Sequence, residues 1–434
     1  MRNRVLSLVV TALTAALLFS VSLAHAIDKE TVLHTFTNGR DGGRPSSGLI
    51  FDAAGNLYGA TSQGGAFGFG TVFELTPASG AWTETVLYNF SGSPDGSWPA
   101  GNLTFDQAGN LYGTTATGGT SLSCSGGCGT VFKLTPASGG WTETVLHSFS
   151  EGDGEYPNGG VVLDASGNLY GAVGQGGPTD GCGGLTCGLI FELQPTSLGY
   201  SESTLYTFTG GNDGWQPDYG IVLGPDGSLY GAALAGGAYS FGTIFKLSST
   251  SGIWQLRVLH AFTGGSDGGT PLGLLTFDAS NNIYGATGAG GNFTCNSYGG
   301  CGVVFKLSPA SSGGWRETVL HTLAGGNQGA YPHAGVVFDA AGNLYGTASS
   351  MGSGGYGTVF KLTRGAKGGW IEGVLHSFGT SKAGGWFPVF DVLLDATGNV
   401  YGTTLGGGSF LGAACDNVGC GTVFELSTVS AKTQ

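Results

Sequence analysis

The chain has 434 residues, of which 87 are glycine and only 10% are charged, while aromatic residues reach 11%. Its formal charge is −13; without Arg2 and Arg4 it would carry 13 basic and 28 acidic residues, or −15. An acidic surface without a basic stripe excludes nucleic acid and anionic membranes as expected partners. The glycine content alone is typical of low-complexity chains, but the apolar runs between the glycines favour a folded protein.

Residues 1–26 predict a cleavable signal peptide. Arg2 and Arg4 precede an apolar run from Val5 to Leu23, and Ala24-His25-Ala26 is a small-x-small cleavage site. The alternative is an uncleaved membrane anchor, because the run is nearly long enough to span a bilayer. We therefore expect a secreted or periplasmic mature chain, residues 27–434, without a membrane span.

From there on, one motif, D-x-x-G-N-L-Y-G, recurs seven times along the chain, once with a residue missing. Its tyrosines lie 54 to 61 residues apart, at Tyr58, Tyr112, Tyr170, Tyr230, Tyr284, Tyr345 and Tyr401. A period of this size indicates a repeat architecture in which each unit packs against its neighbours.

Each repeat contains four short runs rich in β-branched and aromatic residues. In the second repeat they are GNLTFD, LYGTT, GTVFKLTP and WTETVLHSF, separated by Gly, Asn and Pro, with no helical period. Four strands repeated seven times predict an all-β fold, a seven-bladed β-propeller of four-stranded antiparallel blades. The expected blades are residues 45–90, 99–149, 157–208, 217–262, 271–323, 332–378, and 388–427 with 29–36.

The two broken ends of the repeat predict a closed ring. Glu30 to Phe36 is a fourth-strand sequence without its first three strands, and Gly421 to Ser427 is a third strand without its fourth. Together they complete one blade and remove its free edges. The alternative, an open β-solenoid, would not need complementary ends.

Strand order also assigns the loops to faces. The D-x-x-G-N and T-P-A-S-G-G turns share one face. The other face carries the loop between the second and third strands of each blade (the second-to-third loop) and the segment that joins the fourth strand to the first strand of the next blade (the crossover). This second face is the one whose sequence varies between repeats. Residues present in every copy are expected to be structural. The same is expected of the fourth-strand position, which is histidine in five repeats and Tyr88 or Tyr206 in the other two, and of the third-strand Glu and Lys residues, which are expected to form a solvated face. These residues are His34, His147, His260, His321 and His376; Glu74, Lys133, Glu192 and Lys246.

Eight cysteines form four local pairs, each inside a long second-to-third loop. In an exported protein this arrangement predicts the disulfides Cys124–Cys128, Cys182–Cys187, Cys295–Cys301 and Cys415–Cys420. Zinc is the alternative, but each pair offers two sulfurs and no adjacent histidine, so we expect no metal and no cofactor.

Candidate site residues are those that break the repeat. His333 is the one histidine after the signal outside the fourth-strand position; it lies where a crossover enters an inner strand, a place that Asn158 and Asp218 fill in other repeats. These three side chains are expected to converge at the mouth of the central channel and are candidate residues for binding a polar ligand there. His333, Asp218 and Asp391 are weak catalytic candidates, and polar residues at a wet channel mouth need no ligand.

Aromatic residues beside the crossover prolines are candidate ligand-binding residues: Trp98, Tyr156, Trp215, Tyr331 and Trp386. Crossover carboxylates lie near them, at Asp95, Asp153, Asp213 and Asp267. Rings flanked by carboxylates suit sugars, which stack their C–H faces and hydrogen-bond their hydroxyls. The alternative is that the rings pack between blades.

The LYGTT…GG…GTVFKLTP…WTETVLHSF unit resembles the GloVer-type tandem repeat of Gloeobacter and Verrucomicrobia proteins, over essentially all of residues 27–434. The D-x-x-G-N-[LV]-Y turn is similar to that of NHL-like propellers. The resemblance implies extracellular placement, often with a C-terminal sorting anchor, and no shared activity or catalytic residue. Thr428 to Gln434 is short and polar, so no anchor is expected.

These observations lead us to expect a ligand-binding propeller that recognises glycans through its loop-rich face. A polysaccharide lyase or hydrolase with its site at the channel mouth is the first alternative. A scaffold or adhesion protein that binds another extracellular protein is the second.

Overall fold

The computed structural model describes residues 27–428, except 178–181, 183–185, 296–298, 312, 382, 410–414 and 416. The expected signal peptide lies outside the described residues. The chain forms seven four-stranded antiparallel blades in a ring, as the repeat predicts.

In blades 1 to 6 the strands run from the inner to the outer edge in chain order, and in blade 7 the outer strand is the first strand of the chain. Blade 1 consists of Gly43–Pro45 with Ile50–Phe51, then Leu57–Gln63, Thr71–Ala78 and Ala81–Asn89. Blade 2 consists of Ser97–Phe105, Leu111–Thr117, Thr130–Ala137 and Gly140–Ser148; blade 3 of Val161–Leu163, Leu169–Val173, Leu189–Thr196 and Gly199–Thr207. Blade 4 consists of Ile221–Leu223, Leu229–Ala233, Thr243–Thr250 and Ile253–Ala261.

The last three blades follow the same order. Blade 5 consists of Gly269–Phe277, Ile283–Ala289, Val303–Pro309 and Trp315–Thr322; blade 6 of Val337–Phe338, Leu344–Ala348, Thr358–Arg364 and Trp370–Ser377. Blade 7 consists of Leu393–Leu394, Val400–Thr404, Thr422–Thr428 and the N-terminal strand Ile27–Thr35. A short ladder joins Gly385–Trp386 to Gly406–Gly407, and Gly326–Gln328 is a 3-10 turn.

The ring is closed by the first strand, as the broken ends predict. Ile27–Thr35 pairs antiparallel with Thr422–Thr428, for example Glu30 opposite Leu426. At the centre, the Thr403 hydroxyl of blade 7 donates to the Ser47 carbonyl of blade 1 at 3.0 Å. Closure therefore occurs at both the outer and the inner edge of the blades.

The crossovers and the second-to-third loops lie on one face and hydrogen-bond to each other. The Gly65 N–H donates to the Gly39 carbonyl at 2.7 Å, and the same bond recurs from Gly237 to Gly211 at 2.9 Å. We call this side the loop-rich face. It is the face on which the sequence concentrates its variation.

A buried phenylalanine on each third strand forms the core between blades. The ring of Phe132 meets the ring of Phe90 from the preceding blade at a centroid distance of 5.1 Å, edge to face. A Cβ on Gly113, the glycine of L-Y-G, would lie 2.6 Å from Phe132 Cζ. That glycine is thus needed for space, since its backbone does not adopt a positive φ.

All four predicted disulfides are present, and the described part of the chain has no free cysteine. Each closes a second-to-third loop, with Cα–Cα distances of 5.0 to 5.5 Å. The second cysteine of each pair also offers its carbonyl to the next crossover, as Cys128 does to the Tyr156 N–H at 3.1 Å. The bridges therefore hold the loops against the neighbouring blade.

The opposite face is built from the D-x-x-G-N turns, whose aspartate accepts hydrogen bonds from its own turn. Asp106 Oδ1 accepts from the Ala108 N–H, and its Oδ2 accepts from the Tyr112 hydroxyl at 3.1 Å. The expectation that the third-strand charges form a solvated face is wrong for Glu192, which is buried. Glu74, Lys133 and Lys246 are partly exposed, and Lys246 forms an ion pair with Asp226 of the D-x-x-G turn.

Candidate functional site

The residue before each crossover proline has a left-handed backbone in all seven repeats. Its φ lies between 53° and 62° although none of the seven is glycine, and the members are Arg44, Trp98, Tyr156, Gln216, Thr270, Tyr331 and Phe387. Each N–H donates to the carbonyl that precedes a third strand, as Trp98 does to Phe69 at 3.0 Å. Such a conformation costs about 1–3 kcal/mol, and its presence in every blade marks it as part of the scaffold.

Trp98 and Tyr156 line one groove on the loop-rich face. This groove, the Trp98 groove, has a volume of about 920 Å³ and also includes Phe69 and Leu122. Trp98 is 53% exposed and Leu122 is 93% exposed. Hydroxyl groups fill the space between the apolar side chains, at Ser91, Ser93, Ser97, Thr117, Ser121 and Ser125.

The hydroxyls of the groove are held in place by the scaffold. Ser97 and Thr117 pair at 2.7 Å, and Ser93 donates to the Gly119 carbonyl at 2.8 Å. A hydroxyl that donates once keeps lone pairs for a further partner. The groove therefore offers exposed rings next to oriented acceptors.

Trp215 and Trp386 do not belong to this groove. Trp386 stacks on Tyr356 at a centroid distance of 4.5 Å and an interplanar angle of 14°, and its indole nitrogen is shielded from solvent. Trp215 is half-buried and packs against the core that contains Cys182. Both tryptophans therefore pack between blades.

Asn158 and Asp218 meet at the centre of the ring. The Asn158 amide donates to Asp218 Oδ1 at 3.3 Å. A Cβ on Gly174 would lie 1.8 Å from the same oxygen, so the carboxyl group occupies the space that a side chain there would fill. Burial raises the pKa of Asp218, and the bond from Asn158 offsets only part of that effect.

His333 joins this cluster through Tyr219. Its Nδ1 lies 3.4 Å from the Val389 carbonyl, which can only accept, so Nδ1 carries the proton. Nε2 then accepts from the Tyr219 hydroxyl at 3.3 Å, and the Tyr331 ring lies 5.9 Å from the imidazole. Burial lowers the pKa of His333, so the imidazole is neutral with both nitrogens engaged.

Asp391 lines a central cavity of about 40 Å³ together with Asn158, Tyr219 and His333. Its Oδ1 is shielded from solvent and has no hydrogen-bond partner among the described residues. Burial raises the pKa of Asp391 to about 6, against hydrogen bonds from the Gly335 N–H and the Asn102 amide. The described residues contain no group of three His, Cys, Asp or Glu side chains that could hold a metal ion.

The crossover carboxylates do not flank the aromatic rings as a sugar site would require. They bond instead to the outer strand of the preceding blade: Asp95 accepts from the Tyr88 hydroxyl at 3.1 Å, and Asp153 lies 3.0 Å from His147 Nε2. Burial opposes ionisation of Asp153, but bonds from His147 and Ser150 outweigh it and lower its pKa. These carboxylates therefore connect blades.

Two residues of the central cavity were not among the candidates predicted from the sequence. Tyr219 and Asn102 lie two and three residues after a crossover proline, where the other repeats mostly have glycine or a small residue. Extending the comparison of repeats by two positions would have found them. Phe69 could also have been found in this way, because loops of the same length in blades 4 and 6 have Phe241 and Tyr356 at its position. Leu122 could not, because no other repeat has a loop of that length.

No curated protein matches the chain. Solved structures similar to it include a Bacteroides uniformis protein provisionally named a 6-phosphogluconolactonase, 15% identical, covering 80% of this chain and 88% of that one with a TM-score of 0.49. Another is a Thermus thermophilus protein provisionally named an oxidoreductase of the glucose dehydrogenase type, 15% identical, covering 79% and 98% with a TM-score of 0.44.

A profile described as the Gloeobacter/Verrucomicrobia repeat matches residues 13–186 and 120–312. The two segments overlap and together span more than half of the chain. The protein thus belongs to the Gloeobacter/Verrucomicrobia repeat family.

Proposed function

We propose that this propeller is an exported glycan-binding protein whose binding surface is the Trp98 groove. The observation that supports the proposal is the combination of an exposed indole, a second ring at Tyr156 and oriented hydroxyls in one cavity of about 920 Å³. Sugars present apolar C–H faces and many hydroxyls, so they complement such a lining.

The disulfides are consistent with export. Four disulfides are typical of an oxidising compartment. No helix among the described residues is long and apolar enough to cross a membrane.

The test is affinity electrophoresis of residues 27–434 against a panel of neutral and acidic polysaccharides. We expect at least one polymer to retard the protein, and Trp98→Ala with Tyr156→Ala to abolish the retardation. Tyr239→Ala is the matched control, because Tyr239 is 57% exposed on the loop-rich face but outside the groove. Equal retardation of both variants would reject the groove.

A second candidate function is a polysaccharide lyase or hydrolase that uses the central cavity. Asp391 favours it, because a pKa of about 6 suits a carboxyl group that donates a proton near neutral pH. His333 is a poor base here, since both of its nitrogens are engaged. Asp391→Asn with undiminished turnover of a bound polymer would exclude this candidate.

A protein ligand is the third candidate. Exposed Phe67, Phe69, Tyr239 and Phe241 lie on the loop-rich face, and apolar patches of this kind also bind proteins. If no polysaccharide retards the protein, this candidate replaces the glycan proposal.

A further inference from the structure

A second cavity adjoins the Trp98 groove. It has a volume of about 440 Å³ and is lined by Arg40, Gln63 and Trp98, among others. Trp98 lines both cavities, so its indole stands on the wall between them. A polymer that stacks on Trp98 in the groove can therefore extend into the second cavity without leaving the surface.

Arg40 is the charged group of this second cavity. It is exposed, and its guanidinium makes no ion pair or side-chain hydrogen bond with another described residue. The neighbouring Asp41 is already engaged: its carboxylate accepts from the Thr37 N–H at 2.9 Å and lies 3.6 Å from His34 Nε2. The planar guanidinium is thus available for an anionic partner, and its fork matches a carboxylate.

We propose that the glycan bound in the Trp98 groove contains uronate units, and that Arg40 binds the carboxylate of one unit while a neighbouring unit stacks on Trp98. The inference rests on the proposed glycan-binding function and names the class of glycan. Gln63, in the same cavity, supplies an amide for the hydroxyls of the uronate ring.

The acidic chain does not contradict this proposal. Its formal charge of −13 opposes a polyanion at long range. At physiological ionic strength, however, exposed charges further apart than about 8 Å are largely screened. Contact with Arg40 therefore decides affinity once the polymer has reached the groove.

The experiment compares a polyuronate with its carboxyl-reduced derivative, which keeps the same linkages but has lost the charge. Affinity electrophoresis in about 0.15 M salt measures both dissociation constants for wild type, Arg40→Gln and Arg316→Gln. Arg316→Gln removes the same charge from an exposed position on the outer strand of blade 5, away from both cavities. Thermal unfolding of each variant verifies that it is folded.

We expect wild type to bind the polyuronate more tightly than the reduced polymer. Arg40→Gln should weaken binding to the polyuronate about tenfold, the lower end for loss of a hydrogen bond to a charged group, and should leave binding to the reduced polymer unchanged. Arg316→Gln should behave as wild type towards both.

Two results would overturn the inference, and they differ in what they leave standing. If wild type binds the reduced polymer or neutral glycans equally well, or if Arg40→Gln equals Arg316→Gln, the uronate assignment is wrong and glycan binding stands. If no polymer in the wider neutral and acidic panel retards wild type, both proposals are wrong.

Discussion

Two glycines of the second repeat are required for different physical reasons, and substitutions can distinguish these reasons. Gly113 has no positive φ but has Phe132 Cζ 2.6 Å and Leu103 Cδ2 2.8 Å from the position of a Cβ. Gly109, in the D-x-x-G turn, has a φ of 82° and open space around that position. The first is required by packing and the second by backbone conformation.

We predict that Gly113→Ala destabilises the protein by about 1–3 kcal/mol through overpacking. Gly109→Ala should cost about 1–2 kcal/mol through left-handed strain, and Gly109→Asn clearly less, because asparagine tolerates that conformation. Urea unfolding of the three variants measures the differences. If Gly113→Asn recovered stability as Gly109→Asn does, the packing argument would fail.

At the same scale, the aromatic residues of the crossovers occupy two different positions, one residue apart, relative to the proline. Trp98 and Tyr156 directly precede a proline, whereas Trp215 and Trp386 lie one position earlier. The residue before the proline has a left-handed backbone, whereas Trp215 and Trp386 do not, so the two positions direct their side chains differently. The sequence contained this distinction, but treating all the rings as one set hid it.

At the scale of the element, the disulfides of blades 2 and 3 allow a matched comparison. Both close short loops, but Cys124 lines the Trp98 groove, whereas Cys182 packs in the core with Trp215. Removal of Cys124–Cys128 should therefore affect ligand binding, and removal of Cys182–Cys187 should not. The loss of stability should be similar for both bridges.

We predict that Cys124→Ser with Cys128→Ser lowers the free energy of unfolding by about 2 kcal/mol, the chain-entropy estimate for so short a loop. It should also weaken glycan binding, because the loop that carries Leu122 is released. Cys182→Ser with Cys187→Ser should cost similar stability and leave binding unchanged. Equal loss of binding in both double variants would mean that the groove is not the binding surface.

The blades could be predicted from the sequence because every strand is repeated seven times with the same apolar pattern. Ring closure followed from Glu30 to Phe36 and Gly421 to Ser427, whose missing strands complement each other. The site could not be predicted to the same degree. The groove depends on how the loops bearing Phe69 and Leu122 approach Trp98, and the loop that bears Leu122 has no counterpart of the same length in the other repeats.

On the scale of the whole molecule, carboxylates link the blades at their outer edge. An imidazole or phenol from one blade meets a crossover aspartate at five junctions, as His260 meets Asp267 at 3.5 Å. At two junctions the aspartate is missing, and a glutamate of the next outer strand takes its place: Glu372 lies 2.9 Å from His321, and Glu30 lies 3.4 Å from His376. Where the aspartate is present, the glutamate at this position of the next outer strand is not needed to bind the imidazole or phenol. We call Glu84, Glu143 and Glu317, which are in this situation, the surplus glutamates.

Each surplus glutamate lies near an imidazole or phenol that already has a crossover aspartate beside it. Burial, with a smaller contribution from the crossover aspartates, raises the pKa of Glu84, Glu143 and Glu317 to about 7. One oxygen of each is shielded without a hydrogen-bond partner among the described residues. A carboxyl group whose pKa rises on folding favours the folded state while protonated, so its contribution is lost as pH increases from the unfolded pKa towards 7.

We therefore predict that wild type loses stability between about pH 5 and pH 8, at constant ionic strength. Glu84→Gln with Glu143→Gln and Glu317→Gln should flatten this dependence and raise stability at pH 8 by about 1 kcal/mol per site after allowance for solvent screening. Glu372→Gln is the control, since it breaks a bond to His321 and should destabilise. Thermal unfolding across this range gives the answer, and a triple variant with the wild-type slope would contradict it.

The pairing of Ile27–Thr35 with Thr422–Thr428 also imposes an order in time. Ile27–Thr35 is synthesised first but has no partner until Thr422–Thr428 has been synthesised. Because the two strands are so far apart in sequence, their pairing is expected to form slowly. Until then, both segments carry unpaired edges of complementary sequence. In concentrated refolding, the first strand of one copy can enter the open blade of another, so strand-exchanged oligomers should increase with concentration.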